Sequence, residues 1–181
     1  RVSKTAEIHD PALGRWRRTG AMKHARWFHT ATLLADGRVL VVGGIGGHEV
    51  PIASAEVYDP TTERWSPAGT LDEVRFYHTS TRLADGRVLV TGGIQGVNYS
   101  ATAAIYDPAT NTWATTEPML HARWGHTATL LDDGLVLVVG GFGKDGTSGS
   151  SEALRSAELF DPTSATWSEA EPPALGRGEH R

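Results

Sequence analysis

The sequence has no cysteine and only two methionines. The chain therefore has no disulfide and no thiolate metal site, which does not by itself choose a compartment, so secretion or cell-surface display stays open. No apolar run approaches the length of a transmembrane helix, and no signal peptide is recognisable. Basic charge is not concentrated either, since 17 Lys and Arg stand against 21 Asp and Glu, for a net charge of −4. We therefore expect neither a membrane nor a nucleic acid as partner.

Glycine is abundant, with 21 residues, and hydrophobic residues make up 39% of the chain, a mix typical of a turn-rich all-β protein. The stretch from His29 to Gly44 contains two apolar segments joined at Asp36-Gly37. This dipeptide favours a β-hairpin with a type I′ turn, in which both central residues have positive φ. The same phrase recurs from His78 to Gly93 and from His126 to Gly141.

A second phrase alternates with the hairpins: a short apolar strand, an Asp-Pro turn and a strand with one tryptophan. It reads AEIHDPALGRW from Ala6, AEVYDPTTERW from Ala55, AAIYDPATNTW from Ala103 and AELFDPTSATW from Ala157. Its tryptophans are 49, 48 and 54 residues apart, and the histidines that open the hairpins keep the same intervals. A tandem unit of four strands and about fifty residues is the signature of a β-propeller blade.

The paired glycines, the Tyr-Asp-Pro turn and the tryptophan together resemble the kelch repeat over nearly the whole chain. The resemblance implies an all-β, kelch-type propeller with four-stranded antiparallel blades. We expect one segment over 1–181, divided as follows: a half blade at 6–18, blades at 26–67, 75–115 and 123–169, and the start of a further blade at 177–181. We interpret this as an incomplete ring, which the remaining blades of a larger propeller, six or seven by resemblance, or another chain would complete.

A cluster of the form Arg-x-x-His opens each innermost strand, at the face where the loops joining strands two to three and four to one emerge. The clusters are Arg26-Trp27-Phe28-His29, Arg75-Phe76-Tyr77-His78, Arg123-Trp124-Gly125-His126 and Arg177-Gly178-Glu179-His180. In one interpretation each Arg and His is a scaffold residue bonded within its own blade. The positions that differ, namely Phe28, Tyr77, Gly125 and Glu179, would then determine specificity.

In the other interpretation three arginines form an arc of guanidinium groups beside aromatic rings. The ligand-binding residues predicted in this way are Arg26, Trp27, Phe28, Arg75, Phe76, Tyr77, Arg123 and Trp124. Guanidinium groups suit carboxylates, so the expected ligand is an acidic peptide or an acidic glycan.

The segment from Arg75 to His78 also resembles the copper-ligand segment of galactose and glyoxal oxidases, which implies Tyr77 and His78 as copper ligands. The radical cofactor of that family needs a cysteine, which this chain lacks. We therefore predict no cofactor. Asp145, Ser148 and Glu152 faintly suggest a calcium loop, but the spacing of an EF-hand is missing.

These observations favour a non-catalytic binding scaffold that presents its loop face to a protein segment or a glycan. The alternative is a fragment of a copper radical oxidase whose other ligands lie outside this chain. A third possibility is a purely architectural module without a ligand.

Overall fold

The chain is all-β in the computed structural model, which describes residues 2–143 and 151–172. Three four-stranded sheets, here named blades I to III, account for most of the strands. Blade I comprises β3 (Thr30–Leu33), β4 (Val39–Val42), β5 (Ser54–Asp59) and β6 (Arg64–Thr70). Blade II comprises β7 (Thr79–Arg82), β8 (Val88–Thr91), β11 (Ala103–Asp107) and β12 (Thr112–Thr115). Blade III comprises β14 (Thr127–Leu130), β15 (Val136–Val139), β18 (Ala157–Asp161) and β19 (Thr166–Ala170).

The remaining elements are short. They are β1 (Glu7–Asp10), β2 (Arg15–Arg18), β9 (Ile94–Gln95), β10 (Asn98–Tyr99), β13 (Arg123–Trp124), β16 (Phe142–Gly143), β17 (Glu152–Ala153) and a 3-10 turn at Gly47–Glu49. No helix of the described residues is long and apolar enough to cross a membrane.

All strand pairing within the blades is antiparallel, and each strand pairs with the next one of its blade. The innermost strands β3, β7 and β14 lie next to one another, so the blades are arranged side by side around a common axis. The described strands form no closed ring. The predicted four-stranded antiparallel blades and incomplete ring are therefore confirmed.

Strands β1 and β2 form a separate two-stranded sheet that corresponds to the predicted half blade. Among the described residues β1 pairs only with β2. A cleft of about 620 Å³ lies between this sheet and blade I, and Ile8, Val41 and Trp65 are among the residues that line it.

The hairpins form where the sequence predicts them, but the predicted type I′ turn is wrong. Asp36 is not among the residues with positive φ, whereas Gly37 has φ of 87°. Leu34 N–H donates to Arg38 O at 2.8 Å and Gly37 N–H donates to Leu34 O at 3.2 Å, which closes a three-residue loop. This is a type I turn followed by a left-handed glycine, the next most common hairpin connection. The Asp36 carboxylate instead accepts from Arg38 N–H at 3.1 Å.

The Asp-Pro turns behave as their sequence predicts. In each turn the aspartate carboxylate accepts a hydrogen bond from the backbone N–H two residues later, at 2.8–2.9 Å. The aspartates are Asp10, Asp59, Asp107 and Asp161. These bonds fix the connection between the third and fourth strands of each unit.

The hydrophobic cores lie between blades, because the side chains of a strand alternate between its two faces. Leu40 and Val42 of blade I share a core with Val88 and Val90 of blade II. Leu89, which lies between those two valines, points the other way into a second core between blades II and III. The fourth strands are largely exposed, with a partly buried tryptophan in each whole blade, as the sequence predicts, and with the buried Ala68 in blade I.

Candidate functional site

The loops predicted to share one face are joined there by backbone hydrogen bonds. In blade I, Trp27 exchanges hydrogen bonds with Ile45 at 3.0 and 2.8 Å. Phe76 pairs with Ile94 in the same way in blade II, and Trp124 pairs with Phe142 in blade III. The loop before each innermost strand is therefore fastened to the loop between the second and third strands of the same blade.

The arginines of the three clusters are buried inside their blades. Arg26, Arg75 and Arg123 are only 3%, 2% and 0% exposed. Arg123 donates to Gly140 O at 2.9 Å and to the Glu158 carboxylate at 2.6 Å. The equivalent atoms of the other two arginines donate to the first glycine of the Gly-Gly pair of the same blade, at 2.8 and 3.1 Å.

This geometry matches the scaffold interpretation and differs from the expectation of a guanidinium arc. All three guanidinium groups are bonded to carbonyls of their own blades, because a buried cation must be hydrogen-bonded. The exposed side chains of the three clusters are instead the aromatic residues Trp27 and Phe28.

A carboxylate compensates each arginine, but in blade II it comes from the loop before the innermost strand and not from the third strand. Glu56 and Glu158 project from the third strands of blades I and III, where blade II has Ala104. In blade II the carboxylate comes from Glu73, two residues before Arg75, with its oxygen 3.7 Å from the guanidinium. Glu73 also accepts from Thr102 Oγ1 at 2.7 Å and from Gln95. Sequence reasoning missed these carboxylates, although a glutamate within an apolar strand is a signal for a buried ion pair.

The histidines connect neighbouring blades. His78 Nε2 of blade II is 2.9 Å from Thr30 Oγ1 of blade I, and His126 Nε2 of blade III is 2.9 Å from Thr79 Oγ1 of blade II. The scaffold interpretation places the hydrogen bonds of each histidine within its own blade, and this part of the interpretation is wrong. Thr30, which follows His29, is thus the partner of His78, and Thr79, which follows His78, is the partner of His126.

The Gly-Gly pairs lie where consecutive blades approach most closely. Gly44 N–H donates to Arg75 O, and Gly93 N–H donates to Arg123 O, both at 2.8 Å. A Cβ atom on Gly92 would lie 2.5 Å from Arg123 O, and one on Gly93 would lie 2.7 Å from Phe76 O. The predicted role of these glycines in close backbone packing is therefore confirmed.

Burial lowers the pKa of His78 well below 6.5, and the charges of Arg75 and the two neighbouring histidines lower it further. Burial and Arg26 also lower the pKa of His29. A histidine that stays neutral in the fold but takes up a proton when unfolded makes stability rise with pH. Its contribution is complete above about pH 6.5 and is lost as the pH falls below it.

We therefore expect the free energy of unfolding to fall by up to about 1.4 kcal/mol per pH unit for each such histidine below about pH 6.5. Urea melts of the wild type and His78→Gln between pH 7.5 and 5 would measure the slope of the free energy of unfolding against pH. Gln retains a polar group near Thr30 but does not titrate, so its slope should be smaller. Equal slopes for both proteins would contradict a neutral His78.

The residue between the aromatic position and the histidine has a left-handed backbone in all three blades. Its φ is 52° at Phe28, 56° at Tyr77 and 63° at Gly125. Glycine adopts this conformation without strain, whereas a bulky side chain there is a conformational outlier. Two of the three blades therefore hold a strained aromatic residue at the point where the innermost strand begins.

The aromatic side chains of the three clusters form a continuous series of ring contacts, here named the aromatic ridge: Trp27, Phe28, Phe76, Tyr77 and Trp124. The ring centroids of Trp27 and Phe28 are 4.3 Å apart, as are those of Phe28 and Tyr77. Tyr77 lies 5.3 Å from Trp124 and 5.6 Å from Phe76. Trp27 and Phe28 are 41% and 38% exposed, so the ridge offers ring surface to a ligand.

The structure places Tyr77 in the ridge and His78 in the contact between blades. Within residues 2–143 and 151–172 no group of three or more His, Cys, Asp or Glu side chains could hold a metal ion. Arg177, Glu179 and His180, and Asp145 and Ser148 of the faint calcium loop, lie outside the described residues.

Four-stranded antiparallel blades whose cores lie between neighbours define the chain as part of a β-propeller. Comparison with protein families gives a match to the Kelch motif at residues 26–71 and 123–174 and to a second Kelch motif at 75–120. The chain therefore belongs to the kelch-repeat family, whose repeats are generally protein-interaction scaffolds. No curated protein matches the chain.

Proposed function

We propose that this chain is a non-catalytic interaction module that binds a segment of another protein through the aromatic ridge. The observation that carries the proposal is the left-handed backbone of Phe28 and Tyr77. A left-handed conformation costs a non-glycine residue about 1–2 kcal/mol, and the equivalent position of blade III is glycine. Strain of this kind is concentrated at functional sites, and these two rings connect the contacts between blades I, II and III.

The ring contacts provide the second support. Large aromatic side chains dominate the energetics of protein interfaces because they bury much area at a low entropic cost. Here the rings are held in place by their neighbours and by the bridges between the loops, so little freedom is lost on binding. A glycan remains the alternative ligand class.

The double variant Phe28→Gly/Tyr77→Gly tests the proposal. The loss of four ring contacts, about 0.5–1.5 kcal/mol each, opposes the relief of backbone strain at two positions, about 1–2 kcal/mol each, so at the central values the free energy of unfolding should fall by only about 1 kcal/mol. Binding to peptides selected from a random phage-displayed library should fall at least roughly tenfold, since hot-spot residues contribute about 2 kcal/mol or more. Isothermal titration and urea melts measure the two quantities.

Trp16→Ala is the matched control, because Trp16 is an exposed aromatic residue, 66% accessible, on the half blade, and its ring contact is with His9 and not with the ridge. This variant should bind the selected peptides as the wild type does. If the double variant binds them unchanged, or if a glycan array yields ligands while the peptide library yields none, the ridge is not a site for a protein segment.

A further inference from the structure

We propose that the segment bound by the ridge is proline-rich and uncharged, and that it binds as a polyproline II helix. This inference rests on the proposed function and specifies the chemistry of its ligand. The described residues argue against recognition of an acidic motif and against addition of a β-strand, and their exposed rings favour recognition of a polyproline II helix.

Recognition of an acidic motif is excluded by the state of the arginines. A cluster of guanidinium groups is what selects carboxylate-rich or phosphorylated segments. Arg26, Arg75 and Arg123 are buried and already bonded to carbonyls and carboxylates of the fold. These three arginines therefore offer no free guanidinium group to an acidic ligand.

Other charges near the ridge do not replace them. In the described loops of this face the exposed charged side chains are of mixed sign: Lys23 and Arg155 are basic, and Glu49, Asp72, Glu117 and Glu152 are acidic. Burial lowers the pKa of His29, so that histidine is neutral near pH 7. This small acidic excess opposes an acidic segment, and the mixed signs do not select a strongly basic one.

Addition of a β-strand is excluded by the backbone. An extended partner needs free N–H and C=O groups along a strand edge. At the ridge these groups are occupied, because Trp27 pairs with Ile45, Phe76 with Ile94 and Trp124 with Phe142. A ligand must therefore be recognised through the rings.

Polyproline II segments are recognised in this way, through surfaces lined by aromatic rings. Such a helix has no internal hydrogen bonds, keeps its backbone solvated and is already formed in the free peptide. It advances about 3.1 Å per residue, or roughly 9 Å per turn. The rings of Trp27 and Phe28, and those of Phe28 and Tyr77, are 4.3 Å apart between centroids, so each ring step is longer than the rise of one residue of such a helix.

The experiment compares the composition of ridge-dependent binders in a random phage-displayed peptide library. Selection on the 181-residue chain is followed by counter-selection on Phe28→Gly/Tyr77→Gly, so that only ridge-dependent peptides are kept. We expect these peptides to be enriched in proline at least about threefold over the library, where its background is near 5%. We also expect their affinity to change less than about twofold between 0.05 and 0.5 M NaCl, because no ion pair is formed.

Synthetic peptides of about twelve residues provide the second readout: a Pro-Pro-Ala repeat, an Asp-rich, a Lys-rich and an amphipathic helical sequence. We expect the Pro-Pro-Ala peptide to bind most tightly and to lose binding on Trp27→Ala. Ridge-dependent binders that are acidic, basic or helical would overturn the inference but leave the proposed function standing. If no ridge-dependent binder appears, the proposed function itself fails and the inference fails with it.

Discussion

Replacing Arg123 by methionine should lower the free energy of unfolding by about 3–5 kcal/mol, the cost of removing one partner from a buried ion pair. Arg123 and Glu158 are both fully buried, and their atoms are 2.6 Å apart. Methionine preserves much of the volume but leaves the Glu158 carboxylate without its cation. Urea or guanidinium melts near pH 7.5 would measure the loss.

Arg17→Met is the matched control. Arg17 and Glu63 form an ion pair at 2.7 Å, but their side chains are 50% and 40% exposed. Water compensates an exposed charge that loses its partner, so this variant should melt almost as the wild type does. Similar losses for Arg17→Met and Arg123→Met would contradict the structural role of the buried pair.

The difference between blades II and III offers a rescue of the same ion pair. Glu158→Ala alone should also destabilise the chain by about 3–5 kcal/mol. Adding His121→Glu recreates the arrangement of blade II, where Glu73 lies two residues before the arginine and Ala104 occupies the strand position. The double variant should recover most of the lost stability. If it is no more stable than Glu158→Ala, the position of the carboxylate is not interchangeable between blades.

Trp113→Ala should have the second large effect, a loss of about 3 kcal/mol, at the lower end of the range for aromatic side chains in cores. Trp113 packs against the core between blades I and II, and its indole N–H donates to Ala68 O at 2.7 Å. Its ring also lies 5.1 Å from that of Tyr106. Truncation therefore removes packing and leaves a carbonyl oxygen without its donor.

Trp16→Ala provides the comparison for this prediction, because Trp16 occupies the same position of the repeat in the half blade. It is 66% exposed, and its ring contact is with His9 at 5.0 Å. Its truncation should cost less than about 1 kcal/mol, as for other exposed residues. Equal losses at Trp16 and Trp113 in denaturant melts would show that both are packed alike.

The fold could be predicted from the sequence because its signals are local and repeated. The Asp-Gly hairpins, the Asp-Pro turns and the spacing of the tryptophans each define a strand pair without reference to the rest of the chain. The turn type of the hairpins was predicted wrongly because Asp-Gly also suits a three-residue loop, in which only Gly37 needs positive φ.

The candidate site was harder to predict because its main determinants are long-range. Glu158 lies 35 residues from Arg123, and Thr30 lies 48 residues from His78. Such pairs follow from the register between strands and between blades, which a motif does not encode. The sequence predicts aromatic surface at these positions, but the ring contacts between blades and the left-handed backbone of Phe28 and Tyr77 were not predicted. Gly125 at the equivalent position of blade III was the available signal.

The tryptophan indole N–H signals in a ¹H–¹⁵N NMR spectrum test the central claim most directly. The chain has six tryptophans, of which Trp27 and Trp124 belong to the ridge. The other four are the blade tryptophans Trp16, Trp65, Trp113 and Trp167. On addition of a library-selected peptide, the signals of Trp27 and Trp124 should move while those of the blade tryptophans stay in place. Movement confined to the blade tryptophans would contradict the aromatic ridge as the binding surface.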